Sequence, residues 1–264
     1  MAIYTNTITS TTASIALGVG TLLVGDTIRF NESGENYSQG LADLNTRITA
    51  IYFDPGYYGN VGLGASPMTA EANTMVLNSH SPNVVSLIGL GGTVGLMHIE
   101  LLSNAAVWLK NYTLTKLRLI SGGLVEIDGS TTVTSAYLGG EHASAVFRAG
   151  TIMTLLVLSE KGTKATLERD CTSVRINGGT VICNDATATP ANVDVYDGSI
   201  QLLSGTVTIK AGQKAVVDLS KATGDFTITW EVYGNITIKR PPSGTTWNEP
   251  TDAEIFSGNV TVID

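Results

Sequence analysis

The stretch SVRINGGTVIC (173–183) sets two short alternating runs on either side of an Asn-Gly-Gly corner, and the same phrase recurs along the chain. It returns as ISGGLVEI (120–127), NVDVYDGSIQLL (192–203), EVYGNITIK (231–239) and IFSGNVTVI (255–263), with SGTVTIKAG (204–212) as a shorter relative. In each phrase Val, Ile or Leu alternates with polar residues, the two-residue period of a strand with one buried face. The corner residues are those that adopt left-handed backbone conformations cheaply, Gly first and Asn less readily. Taking the second residue of each corner pair, Gly123, Gly140, Gly162, Gly179 and Ser199 lie 17, 22, 17 and 20 residues apart, and Asn235 and Asn259 follow after 36 and 24. The interval of 36 reads as two coils of 18. Strand-rich repeats of this length, with almost no helical period, describe a solenoid in which each repeat stacks on its neighbours to bury its apolar face. One coil has a contour of roughly 55–70 Å at about 3.3 Å per residue, which closes into a narrow triangular or oval rung.

The expected fold is therefore all-β, a single-stranded parallel β-helix. Right-handedness is expected because the coils vary in length, whereas a left-handed helix keeps a strict hexapeptide register. Val174, Ile176, Val181, Val195, Ile200, Leu202, Ile236 and Ile238 are assigned to the interior, with Thr, Lys, Arg and Asp between them facing water. Three regions are expected: an N-terminal arm and cap over 1–66, a β-helix body over 67–239, and a C-terminal loop with a closing strand over 240–264. Residues 1–25 are rich in Thr and Ser and read as an extended arm. The stretch 26–66 carries more charge, the aromatics Phe30, Tyr37, Tyr52, Phe53, Tyr57 and Tyr58, and a segment 39–45 that could turn helically. A solenoid needs such a cap because its open end exposes core and unpaired strand edges. Near the other end, RPPSGTTWNEPTDAE (240–254) interrupts the pattern with prolines that cannot donate to a ladder.

Composition narrows the function classes. Charged residues make up 14% of the 264 residues, well below the roughly 25% of an average domain. With 15 Lys and Arg against 23 Asp and Glu, and no basic run longer than Lys239-Arg240, a nucleic-acid surface is not expected. The run ASIALGVGTLLV (13–24) follows no basic residue, is too short to span a bilayer and precedes no cleavage pattern, so it is read as early strand and no membrane partner is expected. Cys183 shares the inward parity of Val181, while Cys171 is placed in a turn. Buried free thiols are expected, with a disulfide between the two as the alternative. His80, His98 and His142 lie far from both, so no metal site or cofactor is expected.

Enzymes built on parallel β-helices tend to place two or three carboxylates, with a basic residue, on neighbouring coils. The candidates are Glu168, Asp170, Asp185, Asp194 and Asp197, with Arg169 and Arg175 nearby in sequence. Asp beside Gly is an ordinary turn former, however, and the acids are few per coil, so no catalytic residues are assigned and no enzymatic activity is expected. The chain has no Gly-x-Ser-x-Gly elbow, Walker loop or His-Glu-x-x-His. Gly18-Val-Gly20 and Gly89-Leu-Gly91-Gly92 open no helix and are read as β turns. The sequons at Asn111, Asn235 and Asn259 arise readily in strands rich in Asn and Thr and are given no role. Among the aromatics, Tyr57 and Tyr58 follow the turn Asp54-Pro55-Gly56 and, with Tyr52 and Phe53, are the candidate interface residues, compatible with a role in the cap.

The segment GDTIRFNESGENYSQGLADLNTRITAIYFDPGYYGNVG, followed by coils of the form LxLxSGGxVxI, resembles the β-helical virion proteins of tailed bacteriophages, which include head-decoration (cement) proteins. The likeness covers about 25–238 and lies in phrase style and repeat shape, so no functional residue is carried over. It implies a non-enzymatic structural protein of the virion, on the capsid surface, that binds the major capsid protein or other virion proteins as an oligomer, with a homotrimer favoured. About nine coils at about 4.8 Å each make a rod about 40 Å long, suited to a clamp on a shell. The alternatives are a tail fibre or tailspike that binds a receptor or polysaccharide, and a bacterial surface adhesin. A tailspike should expose aromatics and acids along several coils, whereas a decoration protein should gather its apolar contacts at one end. The aromatics at 30–58 favour the second.

Overall fold

The computed structural model describes residues 105–120 and 122–264 throughout and, before them, nine strand segments between Ile3 and Leu101. Among the described residues there are strands and one 3-10 turn, Asp252–Glu254, and no α-helix. The chain is a parallel β-solenoid. It divides into two compact units, Met1–Ser135 and Ala136–Asp264, and the strand Thr132–Leu138 falls across the division.

In the first unit one sheet takes the strands Ile3–Asn6, Thr27–Phe30, Ala50–Phe53, Ala70–Ser79, Thr93–Leu101 and Thr113–Leu119, each parallel to the next. Strands that fall between these in sequence form the other sheet: Ser14–Ala16, Ser38–Ala42, Gly59–Leu63, Val84–Ile88, Ala106–Lys110 and Gly123–Ile127. Parallel pairing therefore already begins at Ile3, within the stretch expected to be an arm. Within the segment 39–45, read as able to turn helically, the chain carries the strand Ser38–Ala42, because Gln39 and Leu41 pair with Val61 and Leu63.

The second unit repeats the scheme. Met153–Leu158, Cys171–Ile176, Asn192–Val195, Gly205–Ala211, Phe226–Tyr233 and Ile255–Ser257 form one sheet. Ala143–Phe147, Lys164–Leu167, Thr180–Cys183, Ser199–Gln201, Val216–Asp218, Ile236–Lys239 and Val260–Ile263 form the other. Each coil thus contributes one strand to each sheet, and the long interval between Ser199 and Asn235 contains the expected additional coil, entered at Val216. The segment 255–263 is two strands, one per sheet, where a single closing strand was expected. Gly258, at φ 84°, turns the chain between them.

Parity decides the core. All eight residues assigned to the interior are buried, as are Val193, Ile209, Trp230 and Val232, which the same alternation places inward. Cys171 and Cys183 are free thiols, both buried, and desolvation pushes each up to about 12. Cys171 opens the strand Cys171–Ile176 instead of sitting in a turn, and its Sγ lies 3.1 Å from the Ser173 carbonyl oxygen.

Corners follow two chemistries. Gly123, Gly140, Gly162 and Gly179, singled out by spacing, have φ of 94°, 93°, 84° and 90°. At Gly179 conformational freedom and space are both needed: a Cβ there would collide with the side-chain and carbonyl oxygens of Thr163 on the preceding coil. A second corner type is the triplet Asp-x-Ser/Thr, at Asp128, Asp185 and Asp218. In each, the carboxylate Oδ1 accepts from the backbone N–H and the hydroxyl two residues on, at 2.9 and 2.7 Å, 2.8 and 2.7 Å, and 3.0 and 2.6 Å respectively. Such Asx turns satisfy backbone donors that leave the ladder at a corner.

Candidate functional site

The five acids considered for catalysis each have a separate setting. Glu168 Oε1 accepts from Arg148 Nη1 at 2.9 Å. Asp185 closes a corner through Thr187, and those two hydrogen bonds hold its carboxyl below its ordinary value. Asp194 Oδ2 faces Arg175 Nε at 3.6 Å, and Asp197 Oδ2 faces Lys161 Nζ at 3.3 Å. Asp170 lies at the corner that enters Cys171–Ile176, where its carbonyl accepts from the Met153 N–H. Arg169, beside it, is 2% exposed, and its Nε donates to the Arg148 carbonyl at 2.6 Å. The ion pairs of Glu168 and Asp194 tie one coil to the next, and that of Asp197 reaches two coils back, so these three acids act as inter-coil struts. Among the described residues no group of three or more His, Cys, Asp or Glu could hold a metal.

Of the candidate interface residues, Tyr52 is 37% exposed on the strand Ala50–Phe53, and Phe53 ends that strand, paired with Ser79. Tyr57 and Tyr58 lie outside the described residues.

A second set of aromatics, which the sequence reading did not single out, occupies a corner of the second unit. Along one sheet the inward residues Val195, Ala211 and Val232 are register partners. The residues that follow them, Tyr196, Gly212 and Tyr233, leave the strands at the same corner of successive coils. A backbone hydrogen bond from Gly212 N–H to the Val195 carbonyl, at 2.8 Å, fixes that level. On the next coil a register shift between Val232 and Tyr233 leaves Phe256 unpaired between Ile255 and Ser257. This is the arrangement by which a β-bulge re-aims a side chain. Phe256 stacks on Tyr233 with ring centres 5.0 Å apart and planes 10° from parallel. Tyr196 and Tyr233 are each 48% exposed and Phe256 62% exposed.

Gly212 shapes the row. A Cβ on it would sit 3.2 Å from Tyr196 Cδ1, so the absent side chain is what lets that ring lie over the backbone of the following coil. Two residues earlier along the strands runs a charged row whose members are register partners in turn: Arg175, Asp194, Lys210 and Glu231. Lys210 Nζ lies 3.2 Å from Glu231 Oε2, and the Tyr233 hydroxyl donates to the same oxygen at 3.1 Å. Desolvation and the neighbouring carboxylate push the Tyr233 phenol up, while the Glu231 hydrogen bond and charge raise Lys210. The signal for the aromatic row was present in sequence: Val-Tyr-Asp-Gly, Val-Tyr-Gly-Asn and Ile-Phe-Ser-Gly each put an aromatic between the last inward residue and a glycine corner. Only the register shows that the three fall in line.

No protein-family model, curated protein or solved structure matches this chain.

Proposed function

We propose that this protein is a non-enzymatic structural protein of a bacteriophage virion, a capsid decoration protein that binds the major capsid protein and stabilises the head shell. The observation that supports this reading is the use made of the charged groups in the second unit. Glu168, Asp194 and Asp197, acids a β-helix enzyme would draw on, are paired with cations of other coils and serve the rigidity of the scaffold. A rigid body loses little conformational entropy on docking, which favours attachment to a lattice. The chain acts as a homotrimer in this reading, and residues 1–66 carry the docking surface, with Tyr52, Phe53, Tyr57 and Tyr58 as its anchors.

Mass spectrometry of purified particles, followed by cryo-microscopy, tests the proposal. Density for the protein on the head supports it, and absence from the particle ends it. Particles stripped of the protein should lose resistance to heat and osmotic shock, because a bound clamp adds its binding free energy to the stability of the shell.

One observation favours a second reading, a tail fibre or tailspike that binds a receptor or polysaccharide. The exposed aromatics Tyr196, Tyr233 and Phe256, with Glu231 beside them, form a row that runs over four successive coils of the second unit. Density on the tail would decide for it.

A further inference from the structure

We propose that the corner row of Tyr196, Gly212, Tyr233 and Phe256, with Lys210 and Glu231 beside it, is a binding stripe for an extended, uncharged saccharide chain. The inference gives the second reading its site and ligand class, and it rests on that reading.

Single exposed apolar residues are normal on any protein surface. Here three large rings, about half to two-thirds exposed, occupy one line set by strand register, and a bulge places the third. Tyr and Phe carry only two side-chain torsions, so such rings present contact area at low entropic cost. Levels along the row repeat at about 4.8 Å, which puts Tyr196 and Tyr233, two coils apart, at about 10 Å. Gly212 stands between them without a side chain, and Tyr196 lies over it. A row of this kind suits a ligand that is itself a repeating chain running along the coil axis.

The neighbours of the rings select the chemistry. The cores of protein–protein interfaces are depleted in Lys, Glu and Asp. This stripe instead keeps Lys210 and Glu231 in the adjoining row, where the Glu231 carboxylate already accepts from the Tyr233 hydroxyl at 3.1 Å. Sugars match such a surface: their C–H faces pack on aromatic rings while their hydroxyls donate to a carboxylate and accept from an ammonium group. Arg175, Asp194, Lys210 and Glu231 alternate in sign and sum to zero, so the stripe has no charge with which to hold an acidic polysaccharide. The net charge of −8 on the whole chain works against polyanions as well.

The test uses the full chain and three uncharged probes of different linkage: cellohexaose, maltohexaose and chitohexaose. Saturation-transfer NMR detects binding, and calorimetry measures it. At least one probe should bind, and Tyr196→Ala together with Tyr233→Ala should weaken it tenfold or more. Glu231→Gln should weaken it several-fold, and Gly212→Leu should weaken it by displacing the Tyr196 ring. Ile152→Ser, which removes another exposed apolar side chain, should leave the affinity unchanged. Circular dichroism and melting temperature establish that each variant is folded. No transfer to any of the three probes overturns the proposal. So does a concentration-dependent dimer in sedimentation that the tyrosine variants abolish, since the row would then be an interface between copies. A chain located on the tail that binds a probe equally well without its tyrosines keeps the second reading and removes this stripe.

Discussion

Replacing Gly179 by Ala, with Gly244→Ala as its partner experiment, separates backbone conformation from the close approach of successive coils. The two glycines have nearly the same φ, 90° and 93°. Both substitutions therefore carry a similar left-handed penalty of about 1–2 kcal/mol, partly offset by about 0.4–1 kcal/mol from the stiffer unfolded chain. Their surroundings differ. A Cβ at Gly244 has nothing within 4 Å, while at Gly179 it would overlap Thr163 Oγ1 and O. Thr163 has little room to retreat. It is buried, its hydroxyl donates to the Glu160 carbonyl at 2.7 Å, and its carbonyl accepts the Thr180 N–H at 2.9 Å. Relieving the clash thus means stretching a hydrogen bond between neighbouring coils.

Overpacking of this kind costs about 1–3 kcal/mol, so Gly179→Ala should lose about that much more stability than Gly244→Ala. Urea unfolding at fixed temperature, followed by the fluorescence of the buried Trp230 and by far-ultraviolet circular dichroism, reads the difference. Thr163→Ala in the Gly179→Ala background removes the hydroxyl half of the clash and leaves the carbonyl half. It should restore part of the loss, and a thermodynamic cycle over the four proteins measures the coupling. Equal losses at Gly179 and Gly244 would refute the argument that coil stacking, and not φ alone, requires glycine at this corner.

Val195 is fully buried, so Val195→Asp forces an unpaired carboxylate into the core at a cost of several kcal/mol; the variant should aggregate or fail to fold, and a soluble variant with the parent's melting temperature would show that the inward parity is wrong. Burial alone would raise the Asp218 carboxyl, but hydrogen bonds from Lys239 and Ser220 outweigh it and hold the group below its ordinary value. Its contribution is therefore present above the unfolded value near 3.9 and lost as pH falls through the lower folded value, so Asp218→Asn should destabilise by at most about 1 kcal/mol near neutrality and converge with the parent in acid; a gap that persists in acid contradicts this. Incubation with capsular and lipopolysaccharide glycans, with or without calcium, should release no reducing ends or unsaturated uronates; turnover lost on Asp194→Asn or Asp197→Asn would replace the structural reading by an enzymatic one. Changing Tyr57 and Tyr58 to Ser should leave the solenoid folded and abolish attachment to stripped particles; unchanged attachment would remove these two residues from the docking surface.

The solenoid was legible because the interaction that builds it is local in sequence and repeated. Val174 and Ile176 pair with Val193 and Val195 one coil later, and each pair shows the same alternation and the same kind of corner. Gly179 is conspicuous for the same reason, since no other residue type tolerates both its φ and its contact with Thr163. The misplaced details are those in which the period is carried by something other than apolar alternation. Cys171 follows Asp170 and precedes two polar residues, so its strand could not be recognised from its own neighbourhood, yet register with Met153 fixes it. The break in 255–263 was hidden because Ser257 and Gly258 fall where an outward polar position and a corner look alike; the close approach of Gly258 to the Gly234 backbone decides for a corner.

Side-chain rows across coils were the least legible feature, and the reason bears on function. Coil lengths vary: Val174 to Val193 is 19 residues, Val193 to Ile209 is 16, and Ile209 to Trp230 is 21. Residues at a constant spacing therefore do not line up, whereas Tyr196 and Tyr233, 37 residues apart, share a corner two coils removed. Variation in coil length is absorbed at corners and loops, while each strand keeps its inward parity, since a slip of one residue would turn the buried face outward. The register, and with it both the inward and the outward rows of the strands, is thus insensitive to insertions at the corners. An outward row such as Arg175, Asp194, Lys210 and Glu231 is aligned by the same register as the inward residues that flank it, so a solenoid of this kind acquires or loses its chemistry by substitution at outward positions, without repacking a single inward residue. The same alternation that makes the fold readable leaves the surface chemistry free, and for that reason the aromatic corner emerges only when register is known.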